Sequence, residues 1–494
     1  MKTFKYIFIL MVGLGLSCLS SCQLAEDLDD YEPLNALDAN KAIVDESTAE
    51  LALSGVYAGF HQQSGGGGIP EIYTIPSLMS GTLVNSFLIN TDEVQGYVNN
   101  NPLAVNTSQG LGAYTRMYDI INRANWLIEK ATELTDDKFP TPGRRQQILA
   151  ETRMLRATAN FYLLRLWGQF YDMESKYGIS IRTEPSRSGE ALPRSTVRET
   201  YEVILEDLDY AVANAPDIRT KSYTNRAYAM GLKAKVLLYQ GNYAEAATLA
   251  RDVMDASPGE FALADTYGEI FLNHATPELF DSSEIVFGTK GDPVAGVGIG
   301  NVIGTIYIVS PQYIASEVGT TEVGGQTIVH DGGRISGTIM EGFFGFDSLK
   351  SNFNFLPPEN RYEMIYHLRM AEVYLIYAEA EARAQNAVTS DALNALNEIR
   401  TRAGATTTGG DGFETYPATI SLPQFLEAVR IEKRMELGVE IGEDWFDMVR
   451  YHFVDGFDVS TVKPSATNPD KYILPIDYIT IEAGKNVVEQ NPNY

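Results

Sequence analysis

Residues Thr224 to Asp255 read TNRAYAMGLKAKVLLYQGNYAEAATLARDVMD. Ala227, Met230, Ala234 and Leu237 recur at steps of three and four, which places a stripe of small and apolar side chains on one face of a helix. Gly241-Asn242-Tyr243 then makes a turn, and Ala246, Ala247, Ala250 and Val253 begin a second stripe. Two helices joined by so short a turn must run antiparallel, and alanine at the facing positions lets their axes approach closely. The stretch predicts a helical hairpin.

Working outward, the same pattern returns on both sides. Towards the N-terminus, helices are predicted over Thr200 to Asn214 (stopped by Pro216), Arg144 to Tyr171, Leu111 to Leu134 and Asp45 to His61. The last carries Leu51, Leu53, Val56, Tyr57 and Phe60 at helical spacing, with Ser47 or Thr48 as a cap. Between it and Ser108 lie four consecutive glycines and a long stretch without period, a length that marks a functional or disordered loop. Towards the C-terminus, fourteen of the 42 glycines fall between Gly288 and Gly345 among valine, isoleucine and threonine, which predicts loops and short strands. Helical period resumes at Tyr366, with one stripe through Ala371, Leu375, Ala378 and Ala382 and another through Ala392, Leu396 and Ile399. Two more helices are predicted at Leu422 to Leu437 and Trp445 to Phe453. The order Tyr239, Gly241, Tyr243, Ala246 also resembles a tetratricopeptide unit, in which hairpins stack into a solenoid. An ordinary buried helix pair fits this stretch equally well.

The chain has 494 residues, enough for one large core or two to three smaller ones. Its formal charge is −27, with acidic residues spread along its length, which argues against nucleic acid and against anionic membrane surfaces as partners. The start has the form of an export signal: Lys2 and Lys5, an apolar run from Ile7 to Leu16, then small residues. Ten apolar residues cannot span a bilayer, which takes about 20. Leu19-Ser20-Ser21-Cys22 has the form of a lipobox, in which cleavage precedes a cysteine that is then acylated, so Cys22 is the expected lipidation site. Removal of the leader takes the formal charge to about −29 and leaves a single, blocked cysteine, so no disulfide is expected. The acidic run Glu26, Asp27, Asp29, Asp30 reads as part of a solvated tether, and it resembles tags that send lipoproteins to the outer face of the outer membrane. The expected division is a leader at 1–21, a tether at 22–40, a helical scaffold at 41–260 carrying the loop 64–108, a loop-rich ligand-binding part at 261–360, and C-terminal helices and tail at 361–494.

Catalytic chemistry is not marked. The five histidines lack metalloprotease spacing, and a zinc site would have too few ligands. Gly296, Gly298, Gly300 and Gly304 have the wrong spacing for a nucleotide loop and no lysine follows. Asp331-Gly332-Gly333-Arg334 could present a carboxylate beside a guanidinium, or could be a turn locked by an ion pair. A glycosidase would need two carboxylates at a set distance, and nothing marks such a pair among the 65 acidic residues. Trp126, Trp167 and Trp445 all fall on predicted helices, where core packing is expected. A glycan site needs aromatic platforms with amide or carboxylate neighbours. The loops offer Tyr73, Phe87 and Tyr97 in one region and Tyr307, Tyr313, Phe343, Phe344 and Phe346 in the other. For each singly, burial in its own loop is the expected role; together, as two aromatic-bearing loop regions on a helical scaffold, they could form a cleft.

Several stretches taken together resemble the SusD/RagB family of outer-membrane nutrient-binding lipoproteins: AETRMLRATANFYLLRLWG (150–168), YEVILEDLDYAVANAP (201–216), Asn225 to Asp255, LRMAEVYLIYAEAEARAQNAVTSDALNALNEIRTRAG (368–404), IEKRMELGVEIGEDWFDMVRY (431–451), and the closing LPIDYI and NVVEQNPNY. The resemblance implies a mostly α fold of four tetratricopeptide-like helix pairs supporting a variable, loop-rich part. It also implies a surface-facing, lipid-anchored protein that lids a SusC-like TonB-dependent transporter and captures a nutrient, usually an oligosaccharide, with no cofactor and no catalysis. The ligand would sit between Gly65–Ser108 and Gly288–Asn354. Tyr73, Tyr97, Tyr307, Tyr313, Phe343, Phe344, Asp331 and Arg334 are the candidate ligand residues. The first loop holds no lysine or arginine and the second only Lys290, Arg334 and Lys350, so a neutral glycan is expected over a polyanionic one. Peptide capture on the same scaffold, a hydrolase and a purely structural lipoprotein are the alternatives.

Overall fold

The computed structural model describes residues 42–61, 69–256, 260–272, 282–290, 306–317, 319–323, 325–330, 334, 338–341, 347–350, 364–406 and 413–494. Cys22, Asp331, Phe343 and Phe344 lie outside the described residues.

The hairpin at the centre of the sequence is formed by helices Arg226–Gln240 and Tyr243–Asp255. Asn225 caps the first through its side chain, and Gly241 ends it at φ +82°, a left-handed conformation that glycine adopts without strain. Gly231 has a packing reason: a Cβ there would come 2.4 Å from Leu368 Cδ2, so the helix lies hard against the Met364–Arg369 strand. Either side of the hairpin, helices follow in contact. Ser108–Glu133 packs on Arg144–Trp167, that on Val197–Asn214, and that on the hairpin. Beyond it come Met370–Gln385, Ser390–Arg402, Leu422–Leu437 and Glu443–Asp455. The last packs back on Glu71–Ser80, near the start of the chain. The fold is mostly helical.

Some sequence expectations are corrected. In Glu46–Gly59 the cap is Asp45, with Thr48 bonding back to it in a reciprocal box. Leu51 faces outward, 71% exposed, while Ala49, Leu53, Val56, Tyr57 and Phe60 form the buried stripe. The period taken as helical from Tyr366 begins with a strand, Met364–Arg369, paired antiparallel with Ile285–Lys290; the helix starts only at Met370. The described part of the stretch read as a long loop contains Glu71–Ser80 and Asp92–Val98 as helices. Glu71–Ser80 is buried on nearly every face, so it has no polar side and hence no amphipathic period, and Pro76 inside it reads as a breaker.

The motif over residues 431–451 is an internal charge lattice. Glu432, Lys433, Glu436, Glu440, Glu443, Asp444, Asp447 and Arg450 are all buried. Arg450 forks onto Glu379 at 2.6 and 2.7 Å, and Lys433 joins it at 2.9 Å. Glu443 takes Arg165 and Lys235 together with the Tyr239 hydroxyl. Glu436 receives Arg369 and Arg402, while Arg369 also reaches Glu284 and Glu440. Desolvation would raise these carboxyls, yet the guanidinium and ammonium groups hold Glu432, Glu436, Glu440 and Glu443 below the usual range.

Candidate functional site

The two loop regions singled out from the sequence adjoin. Leu83–Asn85 pairs antiparallel with Tyr307–Val309, Leu83 opposite Val309 and Asn85 opposite Tyr307. The ladder is extended by Ser86 N–H to Ile306 O and Ser310 N–H to Thr82 O, both 2.9 Å. Beneath this junction Asp444 accepts from Ser80 and Thr82 at 2.5 and 2.8 Å, which ties the first loop region to the charged interior. Burial raises the Asp444 carboxyl.

On the outer side of the junction, beyond the buried Ser86, the stretch Phe87 to Thr91 faces solvent, with Ile89 half-buried within it. Phe87 is 73% exposed and Leu88 47%, and Asn90 and Thr91 are exposed beside them. Half-buried amides flank the turn. Asn85 Nδ2 donates to Ile89 O at 3.0 Å, Gln95 Nε2 donates to Asn85 Oδ1 at 3.1 Å, and Gln109 Oε1 accepts from the Tyr307 hydroxyl at 2.9 Å. An exposed aromatic ring among amides is the composition that fits an uncharged, hydroxyl-rich ligand.

The buried carboxylate of this face, Glu93, has a structural role. Glu93 accepts from the Tyr97 and Ser108 hydroxyls and from the Gln109 and Gly110 amides, so it caps the Ser108–Glu133 helix. Among the described residues no group of three or more histidine, cysteine or acidic side chains could hold a metal ion, and no helix is long and apolar enough to cross a membrane.

Among the described residues the candidate side chains are not gathered on one surface. Tyr73, Tyr97, Tyr307 and Tyr313 are all buried, and burial raises the hydroxyls of Tyr73, Tyr97 and Tyr307 above their ordinary value. Tyr97 and Tyr307 bond to Glu93 and Gln109, and Tyr313 donates to Arg434 O at 3.1 Å, so each acts as a brace under the face. Arg334 is buried 3.0 Å from Glu432 and 3.4 Å from Glu436, facing the interior. Lys350 is likewise drawn inward, donating to Glu440 and to the Glu436 and Gly438 carbonyls, each at 2.8 Å. Lys463, from the C-terminal tail, reaches under Gly81, and burial lowers it to about 8. No sequence signal pointed to Lys463. Nothing in the sequence separates Phe87 from the other loop aromatics.

A helical scaffold carrying an irregular face, built where two distant loop segments meet, defines a class of ligand-presenting helical-repeat proteins. Within it the chain belongs to the SusD/RagB family. Residues 353–494 match the model described as the SusD family, and residues 64–238 match a second, described as starch-binding and associating with the outer membrane. A SusD-like protein of Bacteroides ovatus is 24% identical over 69% of this chain, which spans 65% of that relative's length. SusD-like protein P2 of Formosa agariphila is 23% identical across the whole of both chains. Among solved structures, a SusD superfamily protein of Bacteroides thetaiotaomicron superposes with a TM-score of 0.72 at 23% identity, covering 91% of this chain and all of its own. A laminarin-binding SusD-like protein does so at 0.66 and 21%, covering 92% and 100%.

Proposed function

We propose that this protein is a non-catalytic, surface-facing outer-membrane lipoprotein, anchored through Cys22, that captures a neutral oligosaccharide and hands it to a SusC-like TonB-dependent transporter. The observation that carries the ligand class is the contrast between Phe87, standing in solvent among Asn85, Asn90 and Gln95, and the inward turn of Arg334 and Lys350. With those two cations engaged by interior glutamates, a uronate or sulfated glycan would meet a face short of positive charge on a strongly acidic protein. The description of the matching family as starch-binding and associated with the outer membrane supports the same reading. Phe343, Phe344 and Asp331 are proposed as further contributors from the insertion.

Calorimetric titration of the soluble chain starting after Cys22 tests this, against neutral oligosaccharides, acidic oligosaccharides and a mixed peptide pool, with a reducing-end assay on the same samples. Heat from a neutral glycan without new reducing ends is expected. Heat from peptides alone would move the function to peptide capture, and released product would make the protein a hydrolase.

A further inference from the structure

A second concavity lies away from the loop face, where the segment Ser180 to Leu192 arches over the side of the Ser108–Glu133 helix and meets the C-terminal helix Tyr478–Ala483. Its volume is about 300 Å³, and none of its lining residues belongs to either loop region. A neighbouring hollow of about 340 Å³ opens on the other side of the same arch, sharing Arg182, Ser186, Ser188, Glu190 and Leu192 with the first. Each is at the small end of the usual range for ligand sites, about 300–1,000 Å³.

The arch is held at several points. Asn125 donates to the Arg182 and Glu184 carbonyls at 3.1 and 2.9 Å, Ser186 N–H donates to Asn122 at 2.8 Å, and Ser180 donates to Leu192 O at 3.0 Å. Arg187 lies 4.8 Å over the Trp126 ring and pairs with Glu129. Little ordering would therefore be needed on binding, which removes one of its main costs.

The floor is a pair of tyrosines. Tyr114 and Tyr118 have centroids 4.9 Å apart with planes at 56°, so the two rings form an open angle. Their hydroxyls are occupied: Tyr118 donates to Ser180 O at 3.1 Å and Tyr114 bonds to Tyr118. Both rings are half-buried and line the cleft. Around them stand polar groups left over from folding. Among the described residues the Ser188 and Thr480 hydroxyls and the Glu190 carboxylate have no hydrogen-bond or ion-pair partner. Arg182 uses one nitrogen, donating to Glu190 O at 2.8 Å.

From this geometry we propose that the cleft is a second carbohydrate site, taking one or two units of an uncharged saccharide. The class follows from the lining. Aromatic rings with locked hydroxyls offer flat apolar faces for the C–H side of a sugar. One carboxylate, one guanidinium and two hydroxyls can both donate and accept, as sugar hydroxyls require. The charges of Glu190 and Arg182 cancel, so an anion would face Glu190 and a cation Arg182, while a neutral polyol meets neither penalty. The site stands independently of the ligand assigned to the loop face.

The test uses the full soluble chain with three neutral disaccharides, maltose, cellobiose and laminaribiose, at millimolar concentration. Amide hydrogen exchange should slow in 186–192 and 478–484 with at least one of them. Glu190→Ala combined with Thr480→Val, both outside the core, should weaken that disaccharide at the cleft by about tenfold or more, read as lost exchange protection of 186–192 and 478–484. If none of the three protects those segments, or if the folded double variant binds as before, the proposal is overturned. Loss of long-oligosaccharide binding in Phe87→Ala with the disaccharide effect intact would sustain this cleft and the loop face separately. The exchange pattern of the unmodified chain decides the question even if the double variant does not fold.

Discussion

The interior beneath the insertion and the face above it are opposites in charge. Below, Glu284, Glu432 and Glu436 interleave with Arg334, Arg369 and Arg400 at nearly zero exposure, with Glu440 and the half-buried Arg402 at their edge. Above, Phe87, Leu88, Asn85 and Asn90 carry no charge at all. The difference teaches that the densest run of ionisable residues in this chain belongs to architecture. Such pairs recover in mutual attraction what desolvation costs only while every partner is present. Two of the loop cations, Arg334 and Lys350, are held from beneath, and the proposed neutral ligand rests on their absence from the face.

The largest expected effect comes from breaking the lower region. Glu436→Ala leaves Arg369 and Arg402 short of a buried partner and should cost about 3–5 kcal/mol in urea unfolding. A loss under about 1 kcal/mol would mean the lattice tolerates vacancies and the contrast is superficial.

Next is a pH effect from the scaffold. His367 is buried between the Tyr162 hydroxyl at 2.8 Å and Thr289 at 3.1 Å, and burial, with Lys235 nearby, lowers it to about 3. An unfolded histidine binds its proton near pH 6.5, so as pH falls from about 6.5 towards 3 the unfolded chain gains a proton that the native chain refuses. Stability should therefore decline by up to about 1.4 kcal/mol per pH unit in that window from this group. His367→Gln should flatten the upper part of the slope. Glu436 acts lower down: burial opposes it, but Arg402, Arg334 and Arg369 bring it to about 2. Its contribution is complete above about pH 4.5 and lost as pH falls towards 2. An unchanged slope between pH 6.5 and 4.5 in His367→Gln would remove the histidine from this account.

The upper region should respond in affinity and not in stability. Phe87→Ala should weaken oligosaccharide binding by about 1–3 kcal/mol, on the scale of aromatic stacking, with the unfolding midpoint nearly unmoved. Tyr307→Phe separates brace from platform. It keeps the ring and removes only the bond to Gln109, worth about 0.5–1.5 kcal/mol in stability. An affinity loss as large as that of Phe87→Ala would make Tyr307 a contact residue after all.

Helices with one wet side, such as Ser108–Glu133, Val197–Asn214 and Tyr243–Asp255, are legible from their period. The hairpin, Arg144–Trp167 and Leu422–Leu437 were found within a few residues from spacing and stop signals. Glu71–Ser80 was not: it is short, buried almost throughout and holds Pro76, whereas Arg144–Trp167, buried nearly as fully, is long enough to read from its unbroken run of helix formers. The Met364–Arg369 strand was absorbed into the helix that follows it directly. That the two loop regions would meet could be guessed, but their pairing through only three residues on each strand carries no sequence signature. For the same reason buried braces such as Tyr97 and exposed rings such as Phe87 look alike in sequence. The partner that hides one of them, Glu93, caps a helix whose start was misplaced by a few residues.

The most direct measurement is a matched titration: the soluble chain against a neutral oligosaccharide and its uronic-acid counterpart of equal length, at low and at ordinary salt. The account expects the neutral sugar to bind with an affinity that salt does not change, and the acidic one to bind more weakly, improving only as salt screens the protein's negative charge. Tighter binding of the uronate at ordinary salt, weakened by added salt, would contradict it and place an unrecognised cationic cluster at the loop face.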